Sequence, residues 1–210
     1  ETKTLILGMG AHRRKLNIPG EDEFNAKGVA YCATCDAPFF GGKKVAVVGG
    51  GNSGLESAWD LLAYADEVYL FNRSESLKGD PVAAERIQNH EKFKGVLYNT
   101  IVTEVHGDTM MTGITWKNTQ TGETGTMDLD GLFIEIGSIP NSDIVADLVD
   151  INDYKEVIID HKYARTSADG IFAAGDITDE AYKQNNISAG DAVKAALSAY
   201  AYVPELEDRK

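Results

Sequence analysis

The chain has 210 residues, 43% of them hydrophobic and 25% charged, a composition typical of a soluble globular protein with one or two domains. No apolar run approaches the roughly 18 residues of a transmembrane helix, and no signal-peptide pattern opens the chain, so we expect a cytoplasmic protein. The formal net charge of -13 argues against a nucleic acid or an anionic membrane as partner, because binding phosphates requires positive charge.

The predicted elements begin with a short buried strand from Thr4 to Leu7 and a turn at Gly8-Met9-Gly10. A buried strand at the start needs neighbours, which suggests that a preceding segment is missing. Residues 43–48 form a second predicted strand, residues 55–64 an amphipathic helix and residues 67–71 a third strand. Together these three elements predict a β-α-β unit.

A further predicted helix follows at residues 82–93. Alternating segments at 96–104, 112–117 and 126–130 predict a three-stranded antiparallel insert, and residues 132–136 predict a buried strand. Short strands at 157–160 and 171–174 precede a predicted helix at 187–202, and the charged tail at 204–210 is expected to fray.

A glycine motif lies between the second strand and the first predicted helix. Its first glycine permits a tight turn, its second lets a backbone approach a pyrophosphate, and its third lets helix and strand pack closely. The amino terminus of the helix then faces the negative charge. The pattern predicts a dinucleotide site, although a glycine-rich turn without a ligand is the alternative, and the candidate residues are Gly49, Gly51, Asn52, Ser53 and Gly54.

The residue at the end of the next strand discriminates between coenzymes, because a carboxylate there accepts from a ribose 2′-hydroxyl whereas a basic group favours a 2′-phosphate. No carboxylate ends this strand. Arg73 offers a planar fork to a phosphate and Lys78 a point charge, which favours NADPH over NADH. Glu75 could repel the phosphate, so NADH remains an alternative.

The two cysteines of the chain, Cys32 and Cys35, are separated by two residues. An isolated C-x-x-C pair beside an α/β pattern is typical of a redox dithiol, and Asp36 is the candidate acid for the proton transfers. No metal site is expected, because zinc needs four ligands and the chain has no second cysteine pair. Two buried free thiols beside a helix-capping aspartate are the structural alternative.

Four segments in order resemble low-molecular-weight thioredoxin reductase and the related alkyl hydroperoxide reductase flavoprotein: residues 30–40, 45–54, 170–176, and 182–184 with 188–190. The resemblance extends from Thr4 to Val203. It implies that electrons pass from NADPH through FAD to the Cys32–Cys35 disulfide and then to a thioredoxin-like partner. It also implies that Asp36 is the catalytic acid and Cys35 the flavin neighbour.

For the flavin, the resemblance implies contacts from two short segments. The first, Gly175 and Asp176, would contact FAD, and the second, Lys183, Gln184 and Asn185, would lie beside the isoalloxazine ring. Two departures from the family pattern follow. The flavin domain's own glycine fingerprint would precede Leu5 and is not found, so we expect weak or no FAD retention, and the family's two-arginine coenzyme motif is reduced to Arg73.

The predicted fold is α/β, with a Rossmann-like, doubly wound nicotinamide-binding domain that carries an antiparallel β insert, plus the carboxy-terminal part of a second Rossmann-like FAD domain. The expected divisions are residues 1–7, the end of a flavin-domain segment, 8–137, the NAD(P)H-binding domain with the C-x-x-C pair, and 138–210, the carboxy-terminal part of the flavin domain. The leading function is an NADPH-dependent disulfide reductase, homodimeric in the intact family. The alternatives are an NADH reductase serving a peroxiredoxin system and a non-catalytic nucleotide-binding fragment.

Overall fold

The computed structural model describes residues 2–208, and the side chains of residues 2–204. These residues form two compact units, which we call the terminal unit, residues 2–13 with 138–208, and the central unit, residues 14–137. Residues 1, 209 and 210, which belong to the outer predicted segments, lie outside the described residues. Within the described part of the chain, no helix is long and apolar enough to cross a membrane.

The described residues form strands, α-helices and short 3₁₀ turns. In chain order the strands are β1 Leu5–Leu7, β2 Ala11–Arg13, β3 Val29–Ala30, β4 Lys44–Val48, β5 Glu67–Phe71, β6 Phe93–Leu97, β7 Thr100–Gly107, β8 Met111–Asn118, β9 Thr124–Asp128, β10 Gly131–Ile134, β11 Ser138–Pro140 and β12 Ile171–Ala173. The α-helices are α1 Ala33–Asp36, α2 Asn52–Leu62, α3 Pro81–Gln88 and α4 Asn185–Asp208. Short 3₁₀ turns cover Ala37–Phe40, Asp143–Val145 and Gly175–Ile177.

The central unit is built on a parallel sheet with strand order β3-β10-β4-β5-β6. Strand β4 sits in the middle, and Val45 to Val48 are all buried, as expected for a parallel strand covered on both faces. The helix α2 connects β4 to the parallel strand β5. This β-α-β unit and the parallel sheet confirm the predicted α/β class.

Successive residues of β4 face opposite sides of the sheet because the side-chain period of a strand is two. Val45 and Val47 pack with buried residues of α1, α2 and α3. Ala46 and Val48 pack instead with apolar residues of the antiparallel sheet β7-β8-β9. Helices therefore cover one face and the predicted three-stranded insert, which is confirmed, covers the other.

The terminal unit contains two small sheets. Strands β1 and β12 pair in parallel, and β2 pairs antiparallel with β11, with Ala11 opposite Pro140. The helix α4 packs against β12, where Ala195 and Tyr202 share a buried cluster with Phe172. Because β2 pairs with β11, residues 8–13 belong to this unit, so the observed boundary lies after Arg13 instead of after residue 7.

Three other element boundaries differ from the sequence predictions. The helix expected at 82–93 ends at Gln88, and Phe93 begins β6, where it pairs with Val68 of β5. The strand expected at 96–104 is divided between two sheets, because Asn99 has φ +50° and turns the chain. The helix expected at 187–202 is longer, because α4 begins at Asn185 and continues to Asp208.

The aromatic pair Phe40 and Phe133 generates a stability prediction. Phe133 is fully buried and meets Phe40 edge to face with ring centroids 4.9 Å apart. Phe133→Ala is expected to lower the free energy of unfolding by about 3–5 kcal/mol, because the substitution leaves a cavity between sheet and helices. Urea unfolding followed by circular dichroism measures the change.

The exposed Phe39 provides the matched control for this substitution, because 75% of its surface is accessible. Phe39→Ala is expected to change the free energy of unfolding by less than about 0.5 kcal/mol. Equal losses for the two variants would contradict the packing described for Phe133.

Candidate dinucleotide and dithiol site

Two of the three motif glycines are required by the fold of the central unit. Gly49 follows β4 with φ +131°, and a Cβ there would lie 2.2 Å from the backbone oxygen of Glu135. A Cβ on Gly54 would lie 1.9 Å from the backbone oxygen of Gly49. The start of α2 and the end of β4 are thus in backbone contact. A side chain at Gly49 or Gly54 would prevent this approach.

The middle glycine is not required by internal packing. Gly51 is the N-cap of α2, with φ -91° and ψ -176°, and a Cβ there would meet no atom within 4 Å. The amides of Asn52 and Ser53 belong to the first turn, which has no acceptors within its own helix. Open space in front of free amides fits a pyrophosphate, which a helix amino terminus stabilises.

The loop that follows β5 is bonded directly to this glycine turn. The amides of Lys78 and Gly79 donate to the carbonyl oxygen of Gly50, at 2.8 and 3.1 Å. The side chains of Arg73 and Lys78 are exposed. The two cations that the sequence associates with a 2′-phosphate therefore belong to a loop that is fastened to the predicted pyrophosphate turn.

The two cysteines are joined by a disulfide, with their Cα atoms 5.3 Å apart. Cys32 is the N-cap of the short helix α1, and the amide of Cys35 donates to the Cys32 Sγ at 3.2 Å. Cys35 is exposed and Cys32 is half-buried. In the reduced state the same amide is placed to donate a hydrogen bond to a Cys32 thiolate.

The disulfide is anchored by apolar neighbours. Ala33, Ala37 and Phe40 are buried in the core that α2 shares, so α1 packs directly on the central unit. The hydroxyl of Thr34 also donates to the carboxylate of Asp60 on α2, at 3.3 Å. The disulfide and the glycine turn therefore belong to one unit and contact the same helix.

Asp36 ends helix α1 and is half-buried. Burial raises the pKa of its carboxyl group above the usual value for aspartate. A carboxyl that holds its proton more firmly is better suited to exchange protons with a dithiol near neutral pH. The predicted acid therefore lies next to Cys35 in the chain with a shift in the useful direction.

A buried polar pair behind the dithiol was not found from the sequence. The hydroxyl of Tyr31 donates at 2.8 Å to the carboxylate of Glu21, whose residue is 1% exposed and which also accepts from the amides of Leu16 and Asn17. Burial and this bond raise the pKa of Tyr31. The pair holds Tyr31, the residue before Cys32. The sequence around Glu21 is an ordinary acidic run and does not indicate that this carboxylate is buried.

The residues that the sequence associates with FAD belong to the terminal unit. Asp176 accepts from the hydroxyl of Ser188 at 3.1 Å, which links the 3₁₀ turn to the start of α4. The ammonium of Lys183 pairs with Glu156 at 3.0 Å and donates to the carbonyl of Thr178.

The remaining residues of this set differ in their exposure. Gln184 and Asn185 are exposed at the amino end of α4, whereas Gly175 is buried with φ +75°. These positions offer polar amides, the carboxylate of Asp176 and the ammonium of Lys183, whose charge is compensated by Glu156. Such polar groups could form part of a flavin site.

Substitutions at two of the glycines distinguish a role in coenzyme binding from a role in folding. Gly51→Ala is expected to change the free energy of unfolding by less than about 1 kcal/mol and to weaken NADP⁺ binding at least about tenfold, because the methyl group occupies the pyrophosphate approach. Gly54→Ala should destabilise the fold by about 1–3 kcal/mol through its clash with Gly49. Thermal unfolding and calorimetric titration measure the two effects, and unchanged binding by Gly51→Ala would refute the assignment.

The shifted Asp36 carboxyl predicts a pH dependence of stability. Burial raises the pKa of the Asp36 carboxyl in the folded protein, so ionisation of this group opposes folding. The protein is therefore most stable with respect to this group below the unfolded pKa of about 3.9, and it loses that stability as pH rises through the folded pKa. The free energy of unfolding of Asp36→Asn, relative to that of the parent protein, should therefore increase as pH rises from about 4 and then level off. Urea unfolding from pH 4 to pH 8 tests this, and a constant difference would contradict it.

Comparison with known proteins agrees with this geometry. The pyridine nucleotide-disulphide oxidoreductase family profile matches residues 1–196. The F subunit of alkyl hydroperoxide reductase in Staphylococcus epidermidis is 45% identical over 203 residues, 97% of this chain and 40% of that protein. The chain thus spans less than half the length of such relatives.

Solved structures give the same result. Thioredoxin reductase from Streptococcus pyogenes matches with a TM-score of 0.88 at 32% identity, covering 96% of this chain and 66% of that one. Thioredoxin reductase from Giardia duodenalis matches with a TM-score of 0.87 at 33% identity, with the same coverage of 96% and 66%. The resemblance drawn from the sequence is confirmed, and the chain belongs to the pyridine nucleotide-disulphide oxidoreductase family, in the class that contains the low-molecular-weight thioredoxin reductases.

Proposed function

We propose that this chain carries the coenzyme-binding and dithiol steps of a flavoprotein disulfide reductase, which uses NADPH and FAD to reduce a thioredoxin-like protein. The observation that supports this most strongly is the presence of a Cys32–Cys35 disulfide and an open glycine turn on one compact unit. When bound, NADPH would supply a hydride and FAD would provide the electron pair that a disulfide accepts.

The binding roles follow from the contacts of each unit. In the central unit, the backbone at Gly51 and the amides of Asn52 and Ser53 hold the pyrophosphate, and Arg73 with Lys78 holds the 2′-phosphate. In the terminal unit the flavin contacts come from a short set of residues: Gly175, Asp176, Lys183, Gln184 and Asn185.

The dithiol chemistry uses three residues of the central unit. Reduction breaks the sulfur–sulfur bond, takes up two electrons and two protons and leaves two thiols, and Asp36 exchanges one of the protons. Cys32 then loses its proton, and its thiolate, which accepts a hydrogen bond from the Cys35 amide, attacks the partner's disulfide and releases one partner thiolate. Cys35 loses its proton and attacks the Cys32 sulfur, which releases the second partner thiolate and restores the disulfide. The two released thiolates take up the two protons.

A second candidate is a reductase that draws on NADH and serves a peroxiredoxin system. The 45% identity to the F subunit of alkyl hydroperoxide reductase favours it. The basic loop with Arg73 and Lys78 favours NADPH, because neither residue can accept a hydrogen bond from a ribose 2′-hydroxyl. The two candidates share the dithiol steps and differ in coenzyme and acceptor.

The roles of the two cysteines are tested by trapping. Cys35→Ser, reduced and freed of reductant, is expected to capture oxidised thioredoxin as a mixed disulfide at least about tenfold faster than Cys32→Ser, because only Cys32 receives the stabilising amide. Non-reducing electrophoresis with mass spectrometry identifies the adduct. Faster capture by Cys32→Ser would reverse the assignment, and capture of a peroxiredoxin but not of thioredoxin would favour the second candidate.

Coenzyme choice is tested by titrating the chain with NADP⁺ and NAD⁺. The parent protein is expected to bind NADP⁺ more tightly, and Arg73→Ala should weaken NADP⁺ about tenfold while NAD⁺ changes less than about twofold. Arg86→Ala is the control, since the Arg86 guanidinium stacks on the Trp59 ring at 3.6 Å and should alter neither affinity. Tighter binding of NAD⁺ by the parent protein would favour the peroxiredoxin-linked candidate.

A further inference from the structure

Asn72 lies directly after β5 and is 5% exposed, although it starts a surface loop. Its side-chain amide donates two hydrogen bonds inside that loop, to the carbonyl oxygens of Ser74 at 2.9 Å and Ser76 at 2.8 Å. Both bonds need N–H donors, which an aspartate carboxylate could not supply. The side chain therefore folds residues 72–76 into a compact turn.

The same side chain contacts the glycine turn. A Cβ built on Gly50 would lie 2.4 Å from the Asn72 Oδ1, so the backbone of Gly50 passes directly over the amide. The carbonyl of Gly50 accepts from the amides of Lys78 and Gly79. Asn72 is thus enclosed between the loop that follows β5, which we call the coenzyme loop (residues 72–79), and the glycine turn.

The backbone around Asn72 is also bonded to the end of β6, to the first residue of β7 and to the residue before it. The amide of Asn72 donates to Leu97 at 3.0 Å, its carbonyl accepts from Thr100 at 3.0 Å, and the carbonyl of Ser74 accepts from Asn99 at 3.1 Å. The loop between these fixed points presents Arg73 to solvent. An arginine on a fixed backbone loses less conformational entropy on binding a phosphate than one on a mobile loop.

We propose that Asn72 is a positioning residue for coenzyme selectivity, acting through Arg73 by folding the loop at residues 72–76 against the glycine turn. The inference rests on the proposed function, because it assumes that the 2′-phosphate of NADPH binds to this loop. A carboxylate at the strand end would serve NADH by accepting from the ribose. The Asn72 side chain is buried instead, with its donors engaged inside the loop and its Oδ1 against Gly50, which leaves Arg73 to decide the choice.

A double-mutant cycle tests the proposal by calorimetric titration of the whole chain with NADP⁺ and NAD⁺. The variants are Asn72→Ala, Arg73→Ala and the double variant, with Asn72→Ser as a smaller change if the alanine variant is poorly folded. Asn72→Ala should lower the preference for NADP⁺ over NAD⁺ at least about fivefold in the parent background, and less than about twofold when Arg73 is already alanine. This non-additivity is the readout that a purely structural role would not produce.

Asn152→Ala is the matched control, because Asn152 also organises a turn, accepting from the amides of Tyr154 and Glu156, but lies in the terminal unit. It should leave the preference unchanged. Equal weakening of both dinucleotides by Asn72→Ala, or the same effect with and without Arg73, would overturn the inference alone. A parent chain that binds neither dinucleotide would overturn the proposed function and the inference with it.

Discussion

The contact between the end of β4 and the start of α2 is the constraint on which the rest of the site depends. Gly54 approaches the backbone oxygen of Gly49 so closely that a Cβ would lie 1.9 Å away, which allows the helix to start directly above the sheet. Because the helix starts there, its free first-turn amides and the open space at Gly51 face outward together. A side chain at either junction glycine would move that end of the helix and remove the cradle.

The chemistry of the central unit is arranged around the same helix. Buried residues of α1 and α2 share one core, so the disulfide is fixed to the element whose first turn is suited to the coenzyme. Hydrogen bonds from the Asn72 side chain and to the carbonyl of Gly50 hold the coenzyme loop, and its charged side chains are exposed to solvent. Apolar packing thus sets the frame, and hydrogen bonds inside loops orient the few polar groups that act on ligands.

The features that the sequence predicted well are local ones. The spacing of Gly49, Gly51 and Gly54 after an apolar strand predicts the turn from one short segment, and the parallel sheet follows from strand and helix periodicities. The features it missed depend on long-range contacts. The pairing of β2 with β11 and the hydrogen bond from Tyr31 to Glu21 each join two separate segments, and neither leaves a periodic signal in the sequence.

The most direct test is nuclear magnetic resonance of the backbone amides during titration with NADP⁺. If the glycine turn is the pyrophosphate cradle, the amides of Gly51, Asn52 and Ser53 should show the largest shifts, followed by those of the loop that carries Arg73. Largest shifts elsewhere in the central unit, with these three amides unmoved, would contradict the account.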